Sequence, residues 1–132
     1  MMTDLRLVGS SVSPYTRKVR ALLRYRRIPF QFVMKGGRES EELPPAPLPL
    51  IPYVIFPDQN GELTDTMGDT TPIINRLDND FIPRQLRPKD PALAVIDAVL
   101  EEFGDEWLSK CMFHYRWSKA LDTQTSSSYL AY

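Results

Sequence analysis

With 132 residues, 42% of them apolar and 25% charged, the chain is long enough to bury one core and carry an appendage. A formal net charge of -1 gives no global attraction for nucleic acid or an anionic membrane, and no apolar run approaches a bilayer-spanning length. One cysteine, Cys111, excludes an internal disulfide and a C-x-x-C redox pair, and with His114 it supplies too few ligands for a metal.

The N-terminus, Met1-Met2-Thr3-Asp4, lacks the regions of a signal peptide, so the expectation is a reduced, cytoplasmic protein without a metal. Leu5 to Val8 reads as a short apolar strand that runs into a turn bearing Ser10, Ser11 and Ser13. Ser13 stands where a helix N-cap belongs and Pro14 where the first helical residue belongs. Val19, Leu22, Leu23 and Ile28 then follow helical spacing, with Arg17, Lys18, Arg20, Arg24, Arg26 and Arg27 at the other positions. Because acidic stretches elsewhere balance this basic run, it reads as a solvated helix face and not as a nucleic-acid surface. The helix ends at Ile28-Pro29, since a residue before proline is pushed toward extended geometry.

Phe30 to Val33 reads as a second strand. Residues 34–49 are loop-like, with Gly36-Gly37, the acidic Glu39, Glu41 and Glu42, a run of prolines, and a faint helical signal at Ser40 to Leu43. A hairpin follows: Tyr53 to Phe56, a turn from Pro57 to Gly61, and a return strand from Glu62 to Thr66. Asp69-Thr70-Thr71-Pro72 caps a helix whose apolar residues are Ile73, Ile74 and Leu77. The order β-α-β, connector, β-β-α predicts an α/β fold with a mixed four-stranded sheet, a thioredoxin-like arrangement over residues 1–82.

Residues 83–90 are rich in Pro, Arg, Lys and Asp and read as a linker. Asp90-Pro91 opens a long helix through residue 117, with Leu93, Ile96, Leu100, Phe103, Trp107 and Cys111 along one stripe. Gly104 weakens it by about 1 kcal/mol relative to alanine. Residues 118–132 are polar, Ser/Thr-rich and without period, and are expected to be a frayed or disordered tail.

Three places carry chemistry. The Ser13 hydroxyl lies beside unpaired helix N–H groups and the positive end of a helix dipole, a setting that holds an anion such as a thiolate. Pro52, before the strand at Tyr53, occupies the position of a cis-proline in a thioredoxin-like sheet, where the Ile51 backbone is open to an extended peptide. Asp69 and Thr70 stand at a helix N-terminus, where Thr70 can hold a carboxylate and Asp69 an ammonium group. Each place also has an ordinary reading, as a cap or as one more proline in a proline-rich segment.

Leu5-Arg20, Ile51-Val54 and Asp69-Thr70 together resemble the N-terminal glutathione-binding domain of cytosolic glutathione transferases, most of all the serine-type branch, whose first helix opens S-P-x-x-R-x-V-R. Asp90-Trp117, with D-P, G-D-E-W-L and H-Y-R-W, is similar to the first helix of that family's all-helical second domain. The resemblance implies that Ser13 hydrogen-bonds the glutathione sulfur, with Ser10 and Ser11 as alternates. It implies that Ile51 before Pro52 pairs with the cysteinyl part, and that Asp69 and Thr70 bind the γ-glutamyl end. Glutathione would be the co-substrate, and an electrophilic small molecule the partner. Only one helix of the second domain is recognisable, so the C-terminal part reads as truncated, and its 93–112 apolar stripe is expected to meet a second copy or another helical partner. The alternative is a non-catalytic module that keeps the fold for ligand binding or protein association.

Overall fold

The computed structural model describes residues 5–130. It divides into two units, Met1–Gln85 and Leu86–Tyr132. In the first unit β1 (Leu5–Gly9) leads into α1 (Pro14–Arg26), then β2 (Phe30–Met34), a short α2 (Arg38–Glu41), β3 (Tyr53–Pro57), β4 (Leu63–Gly68) and α3 (Thr70–Asp80). The strands lie in the order β2-β1-β3-β4. β1 pairs in parallel with β2, while β3 runs antiparallel to both β1 and β4. This is the thioredoxin-like mixed sheet expected from element order.

Local chemistry explains each boundary. α1 starts with Ser13 as N-cap, whose side-chain oxygen accepts from the Thr16 N–H, and Pro14 follows in the first turn. It ends one residue before Arg27, which takes the left-handed conformation (φ 58°). The Ile28 N–H then reaches back to the Leu23 carbonyl (3.0 Å) and the Arg27 N–H to Arg24 (3.1 Å). That double return is a Schellman stop, sealed by Leu23 and Ile28 packing in the same core. The faint helix near 40–43 lies two residues earlier, at Arg38–Glu41, after Gly36 turns the chain with φ 83°.

One core fills the side of the sheet covered by α1 and α3: Leu5, Leu7, Val19, Leu22, Leu23, Val54, Phe56, Ile73, Ile74 and Leu77 are all buried. The opposite side holds Val8, Val33, Tyr53 and Ile55, packed by Leu43, Ala46 and Leu63. Alternation along β1 and β3 divides these residues between the two faces.

In the second unit, α4 (Pro91–Glu102) begins at Asp90, whose carboxylate accepts from the Ala92 and Leu93 N–H groups. A π-helical stretch (Phe103–Leu108), beginning one residue before Gly104, leads into α5 (Ser109–Trp117). Residues 118–132, expected as a frayed or disordered tail, instead hold α6 over Ala120–Leu130. Their hydroxyls turn inward on the helix: Thr125 donates to Leu121, Ser127 to Thr123, and Ser128 to Thr125. Such bonds satisfy polar side chains without any apolar period, which is why periodicity does not reveal this helix. Among the described residues, no helix is long and apolar enough to cross a membrane.

Candidate functional site

Strand register brings the sequence-predicted residues to one end of the sheet. Val8 is the partner of Tyr53, and Tyr53 is the partner of Gly68. The turn Ser10–Ser13 follows β1, Ile51-Pro52 precedes β3, and Asp69-Thr70 follows β4, so all three segments leave adjacent strands on the same side. The Ile51–Pro52 bond is cis. Pro52 is buried and Ile51 half-buried.

The serine turn is built by close packing. The Ser13 N–H donates to the Ser10 carbonyl (3.1 Å), and the Ser10 N–H reaches Thr16 Oγ1 (3.4 Å). Thr16 is fully buried and sits against Gly9, where a Cβ would meet its Oγ1 at 2.5 Å. The turn therefore needs glycine at position 9 for approach, not for conformational freedom. Ser13 Oγ accepts from the Thr16 N–H at 3.3 Å. That bond uses a lone pair and leaves the hydroxyl hydrogen as a donor. Ser10 Oγ accepts from the Val12 N–H (3.5 Å), and the Ser11 carbonyl accepts from Arg17 Nε (2.8 Å).

At the start of α3, Asp69 is the N-cap. Its Oδ1 accepts from the Thr71 N–H at 3.4 Å, and its own backbone lies at φ 66°, ψ 136°. An L-residue with a side chain rarely adopts that conformation, and such residues gather where ligands are clamped. Asp69 is exposed, while Thr70 is buried, its hydroxyl accepting from Lys18 Nζ at 3.4 Å.

Lys18 is a residue that sequence reading left among the solvated basic positions of α1. Helical spacing turns it from that face to Thr70, and it adds a positive charge beside the start of α3. Lys35, just after β2, is another cation that the sequence pattern does not single out. Its N–H donates to Gly9 at the same sheet end, and its ammonium lies 5.9 Å from the centroid of Tyr53. Burial raises the Tyr53 phenol above its usual value. Cys111 and His114 are exposed, and no group of three metal-ligating side chains occurs among the described residues.

A family model for the glutathione S-transferase N-terminal domain matches residues 7–85. The chain belongs to the glutathione S-transferase family. No curated protein matches it. Solved structures share the family's fold. A glutathione S-transferase from Methylobacterium radiotolerans, in complex with glutathione sulfonate, is 19% identical over 98% of this chain and 63% of its own, with a TM-score of 0.68. A transferase from Methylobacillus flagellatus with glutathione bound is 21% identical over 97% of this chain and 65% of its own, with a TM-score of 0.62. FzlA from C. crescentus is 20% identical over 90% of this chain and 54% of its own, with a TM-score of 0.70. This glutathione S-transferase family member therefore spans less than two thirds of the length of these neighbours.

Proposed function

We propose that the chain binds glutathione at the end of the sheet and that Ser13 stabilises its thiolate, as in a serine-type transferase. The convergence of the Ser13 turn, the Ile51 backbone and Asp69-Thr70 on one sheet end carries this reading. Thr70 and Lys18 would take the γ-glutamyl carboxylate, Asp69 its ammonium group, and Ile51 the cysteinyl backbone. The neighbours with glutathione or glutathione sulfonate bound support the choice of ligand.

The energetics are of the size required. Lowering a thiol pKa from about 8.5 by two units requires about 2.7 kcal/mol of preference for the anion. A hydroxyl hydrogen bond to a charge contributes about 1.5–3 kcal/mol, and the dipole of α1 about 0.3–1. Such a thiolate would attack an electrophilic small molecule, forming a thioether. The electrophile takes both electrons of the new bond from sulfur and loses its leaving group or gains a proton.

The test is a glutathione titration followed at the thiolate ultraviolet absorbance, over a range of pH, for the wild type and Ser13→Ala. The expected outcome is a lowered pKa for the bound thiol that returns toward about 8.5 in Ser13→Ala. An unchanged pKa in that variant assigns the sulfur to Ser10 or Ser11. Binding without any lowered pKa in the wild type favours a non-catalytic module. That second reading draws on the exposed apolar residues of Leu86–Tyr132, which suit association more than a closed substrate pocket.

A further inference from the structure

Among the described residues, the outer side of β2 has no neighbouring strand in the order β2-β1-β3-β4. In a parallel pair, the N–H and C=O of one residue point the same way and alternate from residue to residue. The Lys35 N–H donates to the Gly9 carbonyl at 2.9 Å. Val33 and Gln31 therefore share its inward orientation, and Phe30, Phe32 and Met34 turn their backbone groups outward. Of these groups, among the described residues, the Met34 carbonyl alone has a partner, the Gly37 N–H at 3.2 Å.

Above this edge runs a line of arginines. Arg17, Arg20 and Arg24 follow one another at helical spacing on α1, and the Arg20 guanidinium lies 5.5 Å from the Phe32 ring centroid. β2 runs opposite to α1, so Arg24 lies one turn toward Phe30 and Arg17 one turn toward Met34. A helical turn advances about 5.4 Å, and two strand residues advance about 6.6 Å. The arginines thus step along the edge at nearly the repeat with which an added strand would present side chains on that face. None of the three has an ion pair among the described residues, in a chain whose net charge is -1. The other face is different in sign: there the Gln31 amide donates to Glu39 at 2.8 Å.

We infer that the open edge of β2 receives an extended acidic peptide, which joins the sheet as an added strand with alternate carboxylates facing Arg17, Arg20 and Arg24. Open backbone groups and cations on one shared repeat select a peptide strand, because a nucleic acid or an anionic membrane would use the charges without the edge. The sign difference between the two faces requires carboxylates on alternate residues and not on every residue.

The probe is the capped heptapeptide Thr-Glu-Thr-Glu-Thr-Glu-Thr, titrated into the isotope-labelled full chain and followed by amide NMR. Shifts confined to residues 30–34 and the facing side of α1 are expected. The double variant Arg20→Glu/Arg24→Glu should weaken binding at least about tenfold, roughly the loss of two surface charge contacts and their reversal. Two further peptides carry N-methyl groups on one or the other alternate set of amides. One should lose about tenfold and the other much less, since only one set faces β2. A peptide of the same composition with its glutamates in one block should also bind less tightly. Equal binding of both methylated peptides and the block peptide overturns strand addition, as does an absence of shifts in β2. Tighter binding by a single-stranded oligonucleotide or anionic vesicles, lost in the same double variant, overturns the peptide in favour of a general polyanion surface.

Discussion

Gly9 decides where the serine turn sits. A Cβ at this position would lie 2.5 Å from Thr16 Oγ1 and 2.7 Å from Thr16 Cγ2. Thr16 is fully buried, so its side chain has no room to withdraw. Gly9→Ala should destabilise the protein by about 1–3 kcal/mol, the usual cost of overpacking a closed site. The same change should push the start of α1 away from β1 and carry Ser13 with it. Urea unfolding of Gly9→Ala and Gly9→Ala/Thr16→Ala checks the origin of the loss, because the second variant removes both clashing atoms. Recovery of part of the stability is expected in the double variant, and a double variant no better than the single one counts against the clash.

Between elements, the strongest polar tie joins α1 to the end of α3. Arg26 Nη1 donates to Asp78 Oδ1 at 2.7 Å, with the arginine side chain fully buried and the aspartate side chain nearly so. Arg26 Nη2 also donates to the carbonyls of Phe81 and Pro83, which caps the chain as it leaves α3. Removing one member of a buried pair strands the other, at a cost of about 3–5 kcal/mol, whereas replacing both with apolar residues is often close to neutral. Arg26→Met should therefore lose several kcal/mol, and Arg26→Met/Asp78→Leu should regain most of it in denaturant unfolding. Equal losses in the single and double variants would place the cost in the uncapped Phe81 and Pro83 carbonyls. Nothing in the sequence pattern announces this pair, since Arg26 reads as one more cation on a basic helix. What was legible rests on residues with strong local rules. Ser13-Pro14 and Asp90-Pro91 mark helix starts through their caps, and apolar alternation marks β1 and β3. The Lys18–Thr70 contact was not legible because it depends on α3 packing beside α1, a long-range contact. α6 escaped because its sequence, ALDTQTSSSYL, is rich in Ser and Thr and carries no apolar period.

At the scale of the whole molecule, the apolar residues are unequally distributed. Every buried hydrophobic residue among those described lies between Leu5 and Leu77. In the second unit no helix has a buried residue, and Val95, Val99, Leu100 and Trp107 are each more than 60% exposed. α4 is apolar nearly all round, with Asp97, Glu101 and Glu102 its charged residues, and a helix of that composition is ordinarily buried on more than one side. Covering such side chains is favourable by about 25 cal/mol per Å² of apolar surface, so association between copies is the expected outcome. Sedimentation of the full chain should show mass rising with concentration, while residues 1–85, which hold every buried hydrophobic residue among those described, should remain a folded monomer. Val95 and Val99 are one helical turn apart, so Val95→Glu/Val99→Glu places two charges on one side of α4. That variant should shift the full chain toward monomer without lowering the unfolding free energy of the first unit, because neither residue contributes to its core. A wild type that stays monomeric at every concentration would overturn association through this face of α4.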